Sequence, residues 1–361
     1  MDNRARVWVV ILSTLLLICA TLWLTLPGYI ERRVHARAAP VDYTRLQLDR
    51  ARDRLDRYEG DRRLLDEAKG ILDKLERNDS RNPDVRVQMA RYYIKGAQID
   101  GGTYHGRMMF SAREELQAAL ASDPNHAEAH LLLGHLYTAA GQYKAAEAEF
   151  AVARRLGTRS PWLEVNVAEM EMHTGRARQA ADRLQRFIDG QPEDRRALVG
   201  AYSVIEKAYV VLGDLDSADR AYRAEIELDP RSAWSRGNYA AFLLFRRGDA
   251  DGAIRYAGEA LELMHYGNGV FIQAAALYTK WATLRLTDGG REESEKYLDA
   301  ARKIHPDMID MARRLRRYPT MRTTLEAFRS MGVAEVDAGG ERPDPVRRGH
   351  AAPPPIPAAP G

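Results

Sequence analysis

Residues 127–158, AEAHLLLGHLYTAAGQYKAAEAEFAVARRLGT, decide the fold of this chain. The stretch predicts two short helices joined by a tight turn. Gly134 and Ala146 fall at the positions where the two helices would touch. Small residues are needed there, because a larger side chain would force the helices apart. Gly141 falls where the first helix must end, and glycine enters such a turn without strain. One hairpin of this kind cannot bury its apolar faces alone, so the sequence predicts neighbouring hairpins.

The same spacing of small, aromatic and glycine positions recurs along the chain. Further hairpins are predicted, the first two of them less regular, at 43–77, 83–124, 161–192, 199–230, 234–265 and 275–306. For 43–77, a short coiled coil is the alternative. The hairpin at 83–124 carries an insertion, GAQIDGGTYHGR at 96–107. Loops on a rigid scaffold often carry function, but a tolerated surface insertion is the simpler interpretation of this one.

This spacing resembles that of the tetratricopeptide repeat (TPR) family, whose unit is about 34 residues. The resemblance covers roughly residues 45–306. It implies an all-α fold, a right-handed TPR-type α-solenoid of about six to seven helical hairpins whose first helices line a concave groove. Members of the family mostly bind peptides or protein partners in that groove. The motif specifies the fold well and the function poorly.

The groove positions of the family can be carried over onto this chain. They give, as the predicted peptide- or protein-binding residues, Arg91, Leu131, His135, Trp162, Glu169, Met172, Lys207, Asn238 and Phe242, with Ile94, Val165, Ser203, Thr279 and Thr283 beside them. The mixture of apolar anchors and a few charges favours a gripped extended segment or helix over a simple match of charges. Only Lys207 and Asn238 suggest the carboxylate clamp of some TPR proteins, so that clamp is not supported. The alternative is a groove that stays largely wet or is filled by the protein's own tail.

A membrane anchor is predicted near the N-terminus. Residues 7–26, VWVVILSTLLLICATLWLTL, carry no charge, and as a helix they would span roughly 30 Å, enough to cross a bilayer core. Trp8 and Trp23 lie near the ends of this stretch, where interfacial aromatic residues are common. A cleaved signal peptide is the alternative, but its apolar core is usually shorter, about 7–15 residues. We therefore expect a single-pass transmembrane helix at 7–27.

The side of the membrane is less clear from the sequence. Arginines near the ends of the apolar stretch favour a cytoplasmic soluble domain by a thin margin, so that a periplasmic or other extracytoplasmic location is nearly as compatible. The chain is predicted to divide into a short tail at 1–6, the anchor at 7–27, a linker at 28–42, the TPR array at 43–306, capping helices at 307–331 and a disordered Pro-rich tail at 332–361. Four arginines within 313–317 are typical of the polar cap that a repeat array needs; contact with anionic lipid is the alternative.

The composition argues against several classes of function. The formal net charge is only +3, and basic residues alternate with acidic ones, so no nucleic-acid footprint is indicated. Cys19 is the only cysteine, which excludes a cysteine-based metal site. His126 and His130 could share a helix face, but no third ligand is convincingly placed. A helix cap and a packed imidazole are the better interpretation of these two residues.

These observations predict a non-enzymatic, membrane-tethered scaffold or adaptor that binds a protein or peptide segment in its groove. No cofactor, metal or nucleic acid is expected. The alternative function is an envelope assembly factor or chaperone-like holder on the extracytoplasmic side. An enzyme with a site around 96–107, using Tyr104 or His105, is the least supported reading because no nucleophile partner is visible.

Overall fold

The computed structural model describes residues 43–58, 61–99, 103–104, 106–286 and 290–333. The predicted anchor at 7–27 and linker at 28–42 lie outside the described residues, as does the predicted tail beyond residue 333. None of the helices in the described ranges is both long and apolar enough to span a bilayer.

The described residues form sixteen α-helices and one pair of very short strands. The helices of the first half are α1 Tyr43–Asp56, α2 Arg62–Asn78, α3 Pro83–Ala97, α4 Gly106–Ser122, α5 Ala127–Ala139, α6 Tyr143–Arg155, α7 Trp162–His173 and α8 Ala177–Asp189. Those of the second half are α9 Arg195–Leu212, α10 Leu215–Leu228, α11 Ala233–Phe242, α12 Ala250–Leu263, α13 Gly267–Arg285, α14 Arg291–Ile304, α15 Met308–Leu315 and α16 Arg322–Ser330. The predicted all-α helical solenoid is confirmed.

Two short elements interrupt this pattern. The strands β1 Gln98–Ile99 and β2 Thr103–Tyr104 pair antiparallel within the predicted insertion at 96–107. A π-helical turn, Leu243–Arg247, follows α11, and a 3₁₀ turn, Pro319–Met321, precedes α16. The strands give the insertion a local hairpin of its own, which sequence analysis did not predict.

The chain divides into two compact units, one up to Asn78 and one from Asp79. In the first unit, α1 and α2 pack against each other, and Ala51, Leu55 and Leu72 are buried. This is the helical pair predicted for 43–77. In the second unit, consecutive helices pack as hairpins from α3–α4 to α13–α14, followed by α15 and α16. The largest apolar core of the second unit joins α10 to α16.

The central hairpin, α5–α6, forms for the reasons predicted from residues 127–158. Gly134 lies against the ring of Phe150: a Cβ atom added to Gly134 would come within 2.9 Å of Phe150 Cζ and closer still to Cε1. Gly141 adopts a left-handed conformation, with φ of 72°, and ends the first helix. Ala146 is fully buried where the second helix faces the first. Small residues therefore set the distance between the two helices.

Gly134→Ala should destabilise the protein by about 1–3 kcal/mol, because the added methyl group overlaps a buried aromatic ring. Gly258→Ala is the matched control, since Gly258 lies inside α12 with no atom within 4 Å of the added Cβ. That control should stabilise the protein by about 0.5–1 kcal/mol through helix propensity. Chemical denaturation of both variants measures the difference. Equal stabilities would mean that the ring of Phe150 moves aside freely.

Helix α9 begins four residues before the predicted start of its repeat at 199. The carboxylate of Asp194 accepts hydrogen bonds from the backbone N–H groups of Arg196 and Ala197, at 2.9 and 3.0 Å. Such an N-cap satisfies two of the free N–H groups at the start of a helix. The repeat spacing locates the unit at 199–230, whereas the local cap decides where its first helix begins.

Candidate functional site

The candidate site is the side of the first helices on which the predicted groove residues lie, here called the groove face. It is formed within the second unit by α3, α5, α7, α9, α11 and α13. On it, Arg91 lies on α3; Leu131 and His135 on α5; Trp162, Glu169 and Met172 on α7; Lys207 on α9; and Asn238 and Phe242 on α11. Lys207 and Trp162 are exposed, and Arg91, His135, Glu169, Met172 and Asn238 are half-buried.

Leu131 and Phe242 do not line an open surface. Their exposed fractions are 2% and 3%. Leu131 packs in the core around Phe150. Phe242 lies against Tyr222 of the preceding hairpin, with ring centroids 4.8 Å apart. Both side chains hold neighbouring hairpins together, so a bound polypeptide could not touch them in this conformation. A binding role for the other seven residues stays a prediction.

Two predicted groove residues meet between α5 and α7. His135 Nδ1 lies 3.8 Å from Glu169 Oε2, which is a loose ion pair when the imidazole is protonated. Arg91, on α3, donates from Nη1 to Gln88 Oε1 at 2.9 Å. These contacts fix the positions of His135 and Arg91, whose side chains are half-buried.

Trp162 forms the most prominent apolar feature of the groove face. Its side chain remains 37% exposed. The indole lies across the bare backbone of Gly200 on α9: a Cβ atom added there would be 2.9 Å from Trp162 Cζ3. Trp162 therefore forms a partly exposed apolar surface between α7 and α9. Half-buried Ser203 and exposed Lys207 follow Gly200 along α9.

An arginine behind α7 fixes the orientation of this helix. Arg183 of α8 donates from Nε and Nη2 to the two carboxylate oxygens of Glu171, at 3.0 and 2.8 Å. Its Nη1 reaches Glu164 Oε2 at 2.5 Å. Burial alone would raise the pKa of Glu164, but the hydrogen bonds from Arg183 and Arg154 outweigh it, and the pKa is lowered. Glu171 is buried and its charge is matched by Arg183, so the network anchors α7 to α8.

Part of the groove face of the last two hairpins, around Phe245 and Thr279, is covered by the chain itself. The covering stretch, residues 318–328, is here called the C-terminal segment. Tyr318 stacks on Phe245, with ring centroids 3.8 Å apart and an angle of 13° between the planes. The hydroxyl of Thr320 donates to the carbonyl oxygen of Phe245 at 3.0 Å. Thr279, one of the predicted groove positions, is consequently only 7% exposed.

The same segment continues along α13. The Thr324 hydroxyl donates to Thr279 Oγ1 at 3.2 Å. Phe328 packs on Trp281 and Tyr278, with ring centroids 5.8 and 5.1 Å apart. Sequence analysis predicted closing helices here, and a groove filled by the protein's own tail was left as an alternative. Among the described residues, part of the closing helices lies on these groove positions.

The two histidines considered as metal ligands have structural roles. His126 caps α5, where its Nδ1 accepts from the Ala129 N–H at 3.3 Å, and its Nε2 lies 3.2 Å from Asp84. A hydrogen bond to Asp84 raises the pKa of His126. His130 Nδ1 lies 2.6 Å from Glu149. In the part of the chain that the structure covers, no three His, Cys, Asp or Glu side chains converge as metal ligands would.

Comparisons with known proteins agree with this architecture. Residues 111–161, from inside α4 to the residue before α7, match the tetratricopeptide repeat family. The structure of the APC/C hetero-tetramer Cut9–Hcn1 is similar, with a TM-score of 0.51 and 15% identity, and the match covers 65% of this chain and 46% of that one.

Two further structures are similar at lower scores. The match to PilF of Pseudomonas aeruginosa has 14% identity and a TM-score of 0.48, and covers 69% of this chain and 97% of that one. A TPR protein from Parabacteroides merdae matches with 14% identity and a TM-score of 0.47, over 75% of this chain and 89% of that one. No curated protein matches significantly. A tetratricopeptide repeat is thus matched at residues 111–161, and the fold is similar to that of Cut9–Hcn1.

Proposed function

We propose that this protein is a non-enzymatic, membrane-tethered scaffold that binds a protein or peptide segment on the open part of its groove face, from α7 to α11. One observation carries the proposal: the C-terminal segment of the chain itself lies on part of the groove face. That segment is held by a stacked ring at Tyr318 and by a hydrogen bond from Thr320 to a groove backbone carbonyl. Surfaces that bind peptides use the same kinds of contact.

The open part of the face offers a defined set of contacts to a partner. Trp162 supplies a rigid, partly exposed aromatic surface, and tryptophan is enriched among residues that dominate binding energy. Glu169 on α7, Lys207 on α9 and Asn238 on α11 add two charges of opposite sign and an amide to the same face. We therefore expect a partner segment that places an apolar side chain on Trp162 and polar groups of both signs beside it.

Trp162→Ala should weaken partner binding by at least about thirtyfold, which corresponds to the roughly 2 kcal/mol of a hot-spot residue. The partner is first recovered with the full-length protein by crosslinking, and its affinity is then measured for each variant. Lys207→Glu should also weaken binding, because it reverses an exposed charge on the same face. Arg186→Glu, an exposed charge on α8, is the matched control and should bind normally. Normal binding by Trp162→Ala at unchanged thermal stability would exclude this face as the site.

The membrane tether is part of the proposal and rests on the apolar stretch at 7–26. Full-length protein should sediment with membranes and be released by detergent but not by high salt or alkaline carbonate. Protein released by salt alone would contradict a spanning anchor. The arginine count around the stretch favours a cytoplasmic domain, and an assembly factor or chaperone-like holder is the function to test if the domain lies on the other side. A reporter fused to the C-terminus distinguishes the two locations.

A further inference from the structure

Two glutamates occupy positions in the α9–α10 hairpin where the repeat pattern calls for small residues. In the central hairpin, the equivalent positions hold Gly134 and Ala153, which let the helices touch. In α9–α10 they hold Glu206 and Glu225. The exposed fractions of these two side chains are 0% and 4%. A pair of acids is therefore built into a contact that is otherwise apolar.

The pair lacks a matching positive charge. Ser235, at the start of α11, donates to Glu225 Oε1 at 2.9 Å. Both oxygens of Glu206, and Oε2 of Glu225, have no hydrogen-bond donor among the described residues. Lys207 is next to Glu206 in sequence, but its side chain is exposed on the groove face. Buried Glu171 is the contrast, because both of its oxygens accept hydrogen bonds from Arg183.

The surroundings of the pair oppose ionisation. Burial raises the pKa of Glu206 well above its ordinary value, and the neighbouring charge of Glu225 raises it further. Burial also raises the pKa of Glu225, although the neighbouring Glu206 carboxyl group and the hydrogen bond from Ser235 act in the opposite direction. The other ionisable groups that act here are Tyr222 on α10, Asp229 after it, Lys207 on α9 and, through Tyr222, Arg246 of the π-helical turn.

A single proton shared by the two carboxyl groups removes the repulsion between two buried negative charges. A carboxyl group that keeps its proton can donate to the second carboxyl group, and one negative charge is then removed from the interior. We propose that Glu206 and Glu225 retain a proton between them at neutral pH, and that this proton holds the α9–α10 hairpin against α11. Its loss leaves two facing negative charges without a counter-charge, which loosens this part of the array. The inference does not depend on the proposed binding function.

The direction of the pH dependence follows from the raised pKa values. The stabilisation that the shared proton provides is fully present below the pKa that these carboxyl groups have in the unfolded chain. Stability is then lost as the pH rises through the higher pKa of the folded pair. Between these limits, each pH unit should increase the equilibrium constant for opening of this region up to about tenfold, since one proton is released on opening.

Hydrogen exchange of the backbone amides, corrected for intrinsic exchange rates, tests the inference on the full-length protein. Protection of α9, α10 and the start of α11 should fall between about pH 6 and pH 8.5 by more than tenfold, from linkage of one proton. In Glu206→Gln or Glu225→Gln, protection at the higher pH should exceed that of the natural protein, and the dependence on pH should flatten.

Glu171→Gln is the matched control, since it changes a buried glutamate whose charge is already matched by arginine. It should lower stability and leave the pH dependence of α9–α10 unchanged. Protonation of His126 also affects stability. Its effect can be told apart, because His126 caps α5 and the amides that respond to it lie there and not in α9–α10. The proposal is overturned if protection of α9–α10 in the natural protein is independent of pH, or if both glutamine variants keep the full dependence.

Discussion

Arg183→Met should lower the free energy of unfolding by about 3–5 kcal/mol, because it leaves a buried carboxylate without its partner. Glu171 is almost fully buried and receives two hydrogen bonds from Arg183, and Glu164 receives a third. Methionine retains much of the apolar volume of arginine, so the loss reports mainly on charge and hydrogen bonding. Urea denaturation of the two proteins at pH 7 measures the difference.

Two further variants separate this explanation from a general loss of stability. Arg186→Met changes an exposed arginine on the same helix and should alter stability by less than about 0.5 kcal/mol. Adding Glu171→Gln to Arg183→Met should recover part of the loss, because the unpaired charge is then removed. A loss below about 1 kcal/mol in Arg183→Met would place this network among weak surface ion pairs.

Phe328→Ala should lower the free energy of unfolding by about 3–5 kcal/mol, the usual cost of removing a fully buried aromatic side chain. Phe328 packs on Trp281 and Tyr278, which are fully buried as well. Because Phe328 anchors the C-terminal segment, the amides of 318–328 should lose protection from hydrogen exchange before those of α5–α6 do. Denaturation and hydrogen exchange together check both expectations.

Glu326→Ala is the control for this second variant, since Glu326 is exposed on the same helix. It should change stability by less than about 0.5 kcal/mol. If Phe328→Ala weakened all hairpins of the second unit equally, the segment would be an inseparable part of the fold. The contacts of the C-terminal segment would then not serve as a guide to how the groove face binds a separate polypeptide.

Much of the fold follows from the sequence because the repeat pattern carries local and tertiary information together. Gly134 and Phe150, for example, are eight and twenty-four positions into one unit, and they meet as that spacing requires. Where the pattern and a local signal disagree, the local signal decides: Asp194 begins α9 four residues early. The π-helical turn after Phe242 has no sequence signal that the apolar spacing could reveal.

The candidate site was less predictable than the fold. The groove positions of the family describe where a side chain starts, not how far it reaches. At Phe242 a large ring reaches the preceding hairpin and is buried, and Leu131 is buried in the core around Phe150. Closure of the last hairpins depends on contacts such as that between Thr320 and Phe245, seventy-five residues apart, which no local pattern encodes. Glu206 and Glu225 were detectable as departures from the small residues expected at their positions.

Position-specific photocrosslinking in the full-length, membrane-associated protein tests the central claim most directly. A photoreactive residue is placed at Lys207, on the open groove face, or at Glu227, exposed on the second helix of the same hairpin. We expect polypeptide adducts from position 207 that disappear when Trp162→Ala is added, and none from position 227. Adducts of equal strength from both positions, or from position 227 alone, would contradict a scaffold that holds its partner on the groove face.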